Sequence, residues 1–430
     1  MYELKQFLGQ FISQKKVLIL GFGREGRSTF RLLREVGGYA ELGISDLHPI
    51  ELSDEGIMLY SGTHYLDVMD DYDIVFKSPG VVLPKEFSAY SCLITSQMEL
   101  FLSYFSRQVI GITGTKGKST TSSLLYHILS ENGVDCIFAG NIGIPVFEIV
   151  DEIHDSTVIV LEMSCHQLEH IACSPSVAVF LNLYEDHLDH YGSFEKYADA
   201  KRNIYRHQKA DDVLFCNPQI KPSEAECASQ VIDIDTAVLP QGTEDATRLK
   251  GQHNLFNIAV VYQICRRLQV DTQGFLDSLA TFQPLAHRLE YVGMLDGVAY
   301  YDDSISTTVE STINAIKSIK NAGSVLIGGM DRGIAYDALV DFLIDCSLDE
   351  VILMYDSGKR IYEVICQKLG NQKGSPRFVY LSDLQSAVEY ARKHTQIGKA
   401  CILSPAAASY GVFKNFEERG KEFCRLVFNK

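Results

Sequence analysis

Residues 111–120 read Gly-Ile-Thr-Gly-Thr-Lys-Gly-Lys-Ser-Thr and can hold a phosphate. Gly114 and Gly117 let backbone N–H groups approach phosphate oxygens, and the helix that follows presents its positive end. Lys118 can reach terminal phosphates and the Ser119 hydroxyl can ligate Mg²⁺. Thr115 and Thr120 complete the run. An ordinary strand–helix turn is the competing reading. The apolar stretch Val109–Ile112 before the loop and the helical pattern Thr120–Ser130 after it favour a nucleotide site.

A second glycine loop, Gly21-Phe-Gly23-Arg24-Glu-Gly26, follows the apolar run Val17–Leu20 and opens a helix. Asp46 closes the next strand. This is the dinucleotide fingerprint in its proper context, with a diphosphate on the helix end and Asp46 facing a ribose or base. NAD is the default ligand of that motif, and a plain βα turn is its competitor. The later phosphate loop weakens the NAD reading and leaves another nucleoside diphosphate open.

Between residues 158 and 201 lie further groups with chemistry. Glu162 ends the strand-like run Val158–Leu161, and Asp186-His187 follows Val177–Leu181. Ligands of parallel sheets gather at the carboxyl ends of strands, so both groups are expected to face the phosphate loop. With Ser119 they could complete a metal shell. Lys201 sits in a charge-rich helix and, by its neighbours alone, reads as a solvated lysine.

The elements that position these groups alternate strand and helix along 430 residues, too many for one core. In the first 106 residues Val17–Gly21, Gly43–Ser45 and Asp73–Phe76 read as strands around the helix Arg27–Val36, with a turn at Ser78-Pro79-Gly80. Residues 107–290 add the helices Phe194–His207 and Asn254–Leu268. In 291–430 the runs Gly297–Tyr301, Ser324–Ile327, Glu350–Met354, Phe378–Leu381 and Ala400–Leu403 suggest another open, doubly wound sheet. The net charge of −16 argues against general nucleic-acid binding. Eleven cysteines without a Cys-x-x-Cys pair read as reduced thiols, and the first fourteen residues lack the basic region and apolar core of a secretory signal. A cytosolic protein with no membrane span is expected.

Taken in order, Gly114-Thr-Lys-Gly-Lys-Ser119, Gly140-Asn141-Ile-Gly143, Glu162-Met-Ser-Cys-His-Gln167, Asn182-Leu-Tyr-Glu-Asp186-His187, Ala200-Lys201, Gly251-Gln-His-Asn254, Ala286-His-Arg288 and Leu403-Ser-Pro-Ala-Ala-Ala-Ser409 resemble the ATP-dependent Mur ligases over essentially the whole chain. The ending Phe413-Lys-Asn-Phe416-Glu-Glu-Arg-Gly420 is most similar to the branch that adds D-glutamate to UDP-N-acetylmuramoyl-L-alanine. The resemblance implies an α/β protein of three domains. These are a Rossmann-like UDP-substrate domain at 1–106, a P-loop ATPase domain at 107–290 and a Rossmann-like amino-acid domain at 291–430. It implies a reaction in which ATP phosphorylates a carboxylate and an incoming amine forms an amide. Two Mg²⁺ ions are implied, one near Ser119 and Glu162, the other near His187 and a carbamylated Lys201. Lys118, His187 and Lys201 would serve catalysis, and Asn254, Arg288 and Asp303 would contact ATP. Gly23, Arg24, Asp46, Ser78, Pro79, Gly80 and Asn141 would hold the UDP-sugar, displacing NAD. Thr307, Arg332, Ser409 and Phe416 would hold glutamate, Arg332 by a bidentate grip on a carboxylate. A monomer is expected.

Three positions depart from the family pattern. Lys116 stands where Asn is usual in the phosphate loop. Ser164-Cys-His166-Gln167 replaces Ser-Ser-Phe-Gln. Asp302-Asp303-Ser304-Ile305-Ser306-Thr307-Thr308 replaces Asn-Asp-Ser-Lys-x-Thr-Asn, which exchanges a lysine for Ile305 and adds an anion at Asp302. The third departure leaves the choice between D- and L-glutamate open.

Overall fold

The computed structural model describes the chain apart from residues 1, 55, 143, 250, 284–285, 332, 371–375 and 430. Three sheets follow one another along it. The first holds β1 (Lys16–Leu20), β2 (Glu41–Asp46), β3 (Ile57–Ser61), β4 (Ile74–Lys77) and β5 (Leu93–Thr95) in the order β3-β2-β1-β4-β5, every pair parallel. The second holds β6 (Val109–Thr113), β7 (Cys136–Gly140), β8 (Val158–Glu162), β9 (Val177–Phe180), β10 (Val213–Cys216) and β11 (Gln230–Asp233). Its order is β11-β10-β9-β6-β8-β7, again all parallel. In both sheets the chain reverses direction of growth beside the strand that leads into a glycine loop, β1 or β6. That crevice is where open α/β sheets bind ligands.

The third sheet holds β12 (Glu290–Leu295), β13 (Val298–Asp302), β14 (Ala322–Ile327), β15 (Glu350–Met354), β16 (Arg377–Leu381) and β17 (Ala400–Leu403), ordered β12-β13-β17-β14-β15-β16. It departs from the expected five strands at one edge, where a sixth, β12, pairs antiparallel with β13. The reason is local. Asp296 and Gly297 both take positive φ (50° and 78°), the two-residue turn whose twist matches a hairpin.

The chain divides into two compact units, Met1–Ala246 with Phe256–Phe282, and Thr247–Leu255 with Gln283–Lys430. The first unit contains both all-parallel sheets. One apolar core runs through it, from Leu4, Leu8 and Ile12 through Val17, Ile19 and Phe101 to Val109, Ile159 and Phe180. The amphipathic stretch at the N-terminus forms the helix Tyr2–Phe11 and buries Leu4 and Leu8 there. Lys5 on that helix bridges Glu35 and Asp151 at 2.6 and 2.7 Å. No helix among the described residues is long and apolar enough to cross a membrane.

Candidate functional site

The phosphate loop leaves β6 and enters the helix Lys118–Glu131. Gly117 caps that helix in the left-handed region (φ 87°) with no side-chain cap bond, the geometry of a helix end that attracts an anion. A Cβ at Gly117 would meet the Asn257 side chain at 2.8 Å, so glycine is required for both space and conformation. Asn182, just beyond β9, grips the loop from the side: its Oδ1 accepts from Lys116 N–H and its amide donates to Lys116 C=O.

Two lysines converge on this loop. Lys118 Nζ donates to the carbonyls of Gly114 and Thr115 at 3.0 and 3.2 Å. Lys201 Nζ donates to the same Gly114 carbonyl at 2.9 Å. Lys201 is not solvated, which corrects the reading from its neighbours alone: it is 1% exposed. The helix Phe194–Arg206 shows why. Positions three and four residues away on either side are Tyr197, Ala198, Ile204 and Tyr205, all buried, so Lys201 lies in the middle of the apolar stripe. Its ammonium also lies 4.9 Å from the centre of the Tyr197 ring. Burial, then the charge of Lys118, pushes its pKa down from 10.5 to about 7. A large fraction is therefore neutral amine near pH 7.

Glu162 ends β8 beside the loop strand, paired in register with Ile112. It is 1% exposed. Its Oε1 accepts from the Asn141 amide at 2.6 Å, while its Oε2 is buried with no hydrogen-bond partner among the described residues. A buried carboxylate oxygen left unpaired is costly, and an oxygen-seeking cation is what would satisfy it. Ser119 starts the adjacent helix, so the donors expected of a Mg²⁺ site fit that ion.

His187 stands in the left-handed region (φ 53°) at the start of the turn into Leu188–Tyr191. Its ring lies 5.0 Å from His166 and 6.0 Å from Tyr197, whose hydroxyl is 3.0 Å from Thr115 Oγ1 in the phosphate loop. Lys116, the first departure, places its ammonium 3.4 Å from Asp186. Burial works against ionisation of Asp186, but Lys116 and His187 outweigh it and hold the carboxyl below its usual range. The second departure, His166, is stacked on Tyr191, and burial followed by the neighbouring His190 and His187 pushes its pKa down to about 3.

The first glycine loop repeats the backbone plan. Gly23 caps the helix Arg24–Val36, again with no side-chain cap. A Cβ on Gly26 would fall 2.0 Å from Gly21 C=O. Asp46 turns inward: its oxygens accept from the N–H groups of Phe22 (2.6 Å) and His48 (2.8 Å). Ser78 Oγ donates to Gly21 C=O at 2.7 Å, which places Ser78-Pro79-Gly80 against the loop. Arg24 donates to Asn141 C=O at 2.7 Å. Asn141 thus joins the first glycine loop to Glu162, a coupling that no spacing in the sequence announces. Gly143 of the same motif lies outside the described residues.

Asn254, Arg288, Asp303, Thr307, Ser409 and Phe416 belong to the second unit. Arg332 lies outside the described residues. Asp303 is buried and accepts from Ser404 Oγ (2.7 Å) and Leu289 N–H (3.0 Å). Burial pushes its carboxyl up to about 6 against those bonds and the pull of Arg288. Asp302, the added anion, holds His287 Nδ1 at 2.6 Å, and that hydrogen bond raises the imidazole's pKa. Gly420 makes room for the pair, since a Cβ there would lie 2.2 Å from His287 Nδ1. Ser304 Oγ donates to Phe416 C=O at 2.8 Å. Arg419, fully buried, donates to Ser304 C=O at 2.7 Å and to Ala407 C=O at 3.1 Å. It ties the Asp302–Thr308 run to the Ser404–Ser409 run, a role the sequence reading missed.

Residues 112–247 match the Mur ligase middle domain. The chain is 31% identical over 454 residues to UDP-N-acetylmuramoylalanine--D-glutamate ligase of Clostridium botulinum (strain Langeland), covering 97% of each chain. It is 32% identical to the enzyme of that name from Citrifermentans bemidjiense, covering 97% of this chain and 98% of the relative. Among solved structures, MurF ligase from Thermotoga maritima in complex with ADP superposes over 100% of both chains with a TM-score of 0.62 at 16% identity. UDP-N-acetylmuramate-alanine ligase MurC from the same organism gives 0.56 at 19% identity, over 95% of this chain and 98% of the other. At those identities the two structures speak for the fold alone. The near-complete coverage at 31–32% identity makes this chain a member of the Mur ligase family, whose enzymes carry out ATP-dependent amide ligation in peptidoglycan synthesis.

Proposed function

We propose that the protein joins glutamate to UDP-N-acetylmuramoyl-L-alanine in the cytoplasm, at the expense of ATP, through an acyl phosphate. Residues 1–106 would bind the UDP-sugar, 107–290 ATP, and 291–430 glutamate. The observation that carries the reading is Lys201, a buried amine on the Gly114 carbonyl with its pKa pushed to about 7. Carbamylation needs a neutral amine, and the product would be an anion suited to hold a cation beside Lys118. Without it the Lys201 amine, held largely neutral by burial and by Lys118, shares the Gly114 carbonyl with the Lys118 ammonium.

In the forward reaction the N–H groups at the helix start, from Gly117 to Thr120, receive the ATP phosphates. Lys118 turns from Gly114 and Thr115 to the γ-phosphate and follows its charge as it transfers. Ser119 and Glu162 would hold one Mg²⁺, His187 and carbamylated Lys201 a second. These ions would neutralise phosphate charge. The acceptor's diphosphate would rest on the helix end at Gly23 and Arg24, near Asp46, Ser78, Pro79 and Gly80, with Asn141 on the sugar. Its carboxylate oxygen takes the γ-phosphoryl group and ADP leaves. The glutamate amine then attacks the carbonyl, loses a proton, and the tetrahedral adduct collapses to amide and phosphate. Asn254, Arg288 and Asp303 would bind ATP, and Thr307, Arg332, Ser409 and Phe416 the incoming glutamate.

The relatives, named as D-glutamate ligases, favour D-glutamate. The Asp302–Ile305 departure favours testing L-glutamate as the second reading. Each enantiomer is offered separately with Mg²⁺, ATP and the acceptor, and ADP and product are measured. Activity with D-glutamate supports the reading, preference for the L form changes the amino acid and keeps the chemistry, and no turnover with either overturns it.

A further inference from the structure

The turns after β8 and β9 carry imidazole and carboxylate groups that the ligation chemistry does not use. His166 lies in the short helix Cys165–Leu168, Glu169 follows it, and His190 lies in Leu188–Tyr191. One ligand atom from each of the three falls within 4.8 Å of the others. His190 Nε2 and Glu169 Oε2 are 3.4 Å apart. Ligands at about 2.0–2.1 Å around a tetrahedral ion stand roughly 3.3 Å apart, so this edge already has the required length. His166 Nδ1 is 3.1 Å from Tyr191 Oη. That bond occupies Nδ1 and leaves Nε2 as the nitrogen to offer an ion. His170 Nε2, 3.6 Å from Glu169 Oε1, is a nearby further donor.

We propose that His166, Glu169 and His190 form a site for zinc or a similar late first-row divalent ion, separate from the magnesium chemistry of the phosphate loop. The proposal does not rest on the ligase reading. Two imidazoles and one carboxylate suit zinc, cobalt or nickel, whereas Mg²⁺ prefers oxygen ligands and keeps its water. Glu169 and His190 line a cavity of about 670 Å³ in the first unit, which gives an ion a route in and water a place in its shell. Lys77, on the same wall and buried, is the competing cation for Glu169. His166 stands where the family pattern has phenylalanine, so the site is a property of this chain. A bound ion would tie the turn after β8 to the turn after β9. His187 is three residues before His190, so its position would be held as well.

The full chain is stripped with a chelator and titrated with Co²⁺ in excess Mg²⁺, then with Zn²⁺ as competitor. The readouts are visible d–d absorption, metal content per chain and melting temperature. Wild type is expected to take up one equivalent with a nitrogen–oxygen spectrum and to melt higher with zinc. H166F and E169Q are expected to weaken uptake on the order of 10- to 100-fold or more, and to lose the zinc-dependent rise in melting. C165S is expected to bind as wild type does. Metal-free melting curves establish that each variant folds, and E169Q carries the test if H166F does not. The proposal is overturned if wild type takes up no ion at micromolar concentration, or if E169Q binds as tightly as wild type. A thiolate charge-transfer band lost in C165S would also overturn it, by assigning the ion to Cys165, His166 and His187 instead.

Discussion

The loops after β1 and β6 share a backbone plan and differ in what surrounds them. Each follows a strand flanked by parallel neighbours, and each ends at a glycine that caps a helix without a side chain. Either would attract a phosphate. Around Gly114 lie the Lys118 ammonium and the buried Lys201 amine, with an orphaned carboxylate oxygen on the adjacent strand. At the Gly21 loop the Asp46 carboxylate is bonded to Phe22 N–H, the Ser78 hydroxyl sits on the loop carbonyl and Arg24 is held on Asn141 C=O. Cations that can follow a moving phosphoryl group favour transfer, whereas a fixed carboxylate and hydroxyl favour holding. Under the proposed function the same loop geometry would serve two purposes, with the second layer of side chains deciding which.

Removing the transferring cation breaks that contrast most directly. Lys118→Ala is expected to lower kcat on the order of 10²- to 10³-fold or more, read as ADP release with acceptor and glutamate present. Unchanged turnover would make the loop a binding element like its counterpart. Lys201→Met is expected to abolish turnover to a similar extent and, in CO₂-free buffer, to raise the melting temperature at pH 7. The sign follows from the depressed pKa. Between pH 7 and 10.5 the folded protein binds fewer protons at Lys201 than the unfolded chain, so wild-type stability rises with pH across that window. The advantage of the variant should shrink as the pH approaches 10.5, and a constant gap would contradict a buried, largely neutral amine.

At the first loop, Gly26→Ala leaves a Cβ 2.0 Å from Gly21 C=O, so the turn must open. The KM for the UDP-sugar is expected to rise about tenfold or more and the melting temperature to fall, with the KM for ATP little changed. An equal rise in both would mean that the two loops do not act separately. The smallest effect is expected from Lys116→Asn. Its ion pair with Asp186 is partly exposed, and such pairs contribute roughly 0–1 kcal/mol, so the KM for ATP should shift by about fivefold or less, and less still at high salt.

Both glycine loops, the strands before them and Glu162 at the end of β8 were legible because they depend on local signals: apolar runs, glycine spacing and position at a carboxyl terminus. The β12–β13 hairpin was also within reach, since Asp296-Gly297 between two apolar runs is a strong turn signal. Starting the third block's strands at Gly297 passed over β12. Lys201 was misread because its helix was judged by its charge content. The flanking Tyr197, Ala198, Ile204 and Tyr205 show the buried stripe once positions three and four residues apart are compared. The Arg24–Asn141–Glu162 chain and the buried Arg419 clamp had no such signal, because their partners are far apart in sequence and are joined by single side-chain contacts.

The amino-acid order alone determined the alternation of strand and helix, the two glycine loops and the residue types that phosphate and cation chemistry require. These follow from backbone sterics and hydrophobic period, which act over a few residues. Only the tertiary structure decided that Lys201 is buried against Gly114, that Glu162 keeps one oxygen unpaired, that Asp46 is spent on its own loop, and that His166, Glu169 and His190 meet. Burial and charge neighbourhood set those properties, and both arise only when distant segments pack together.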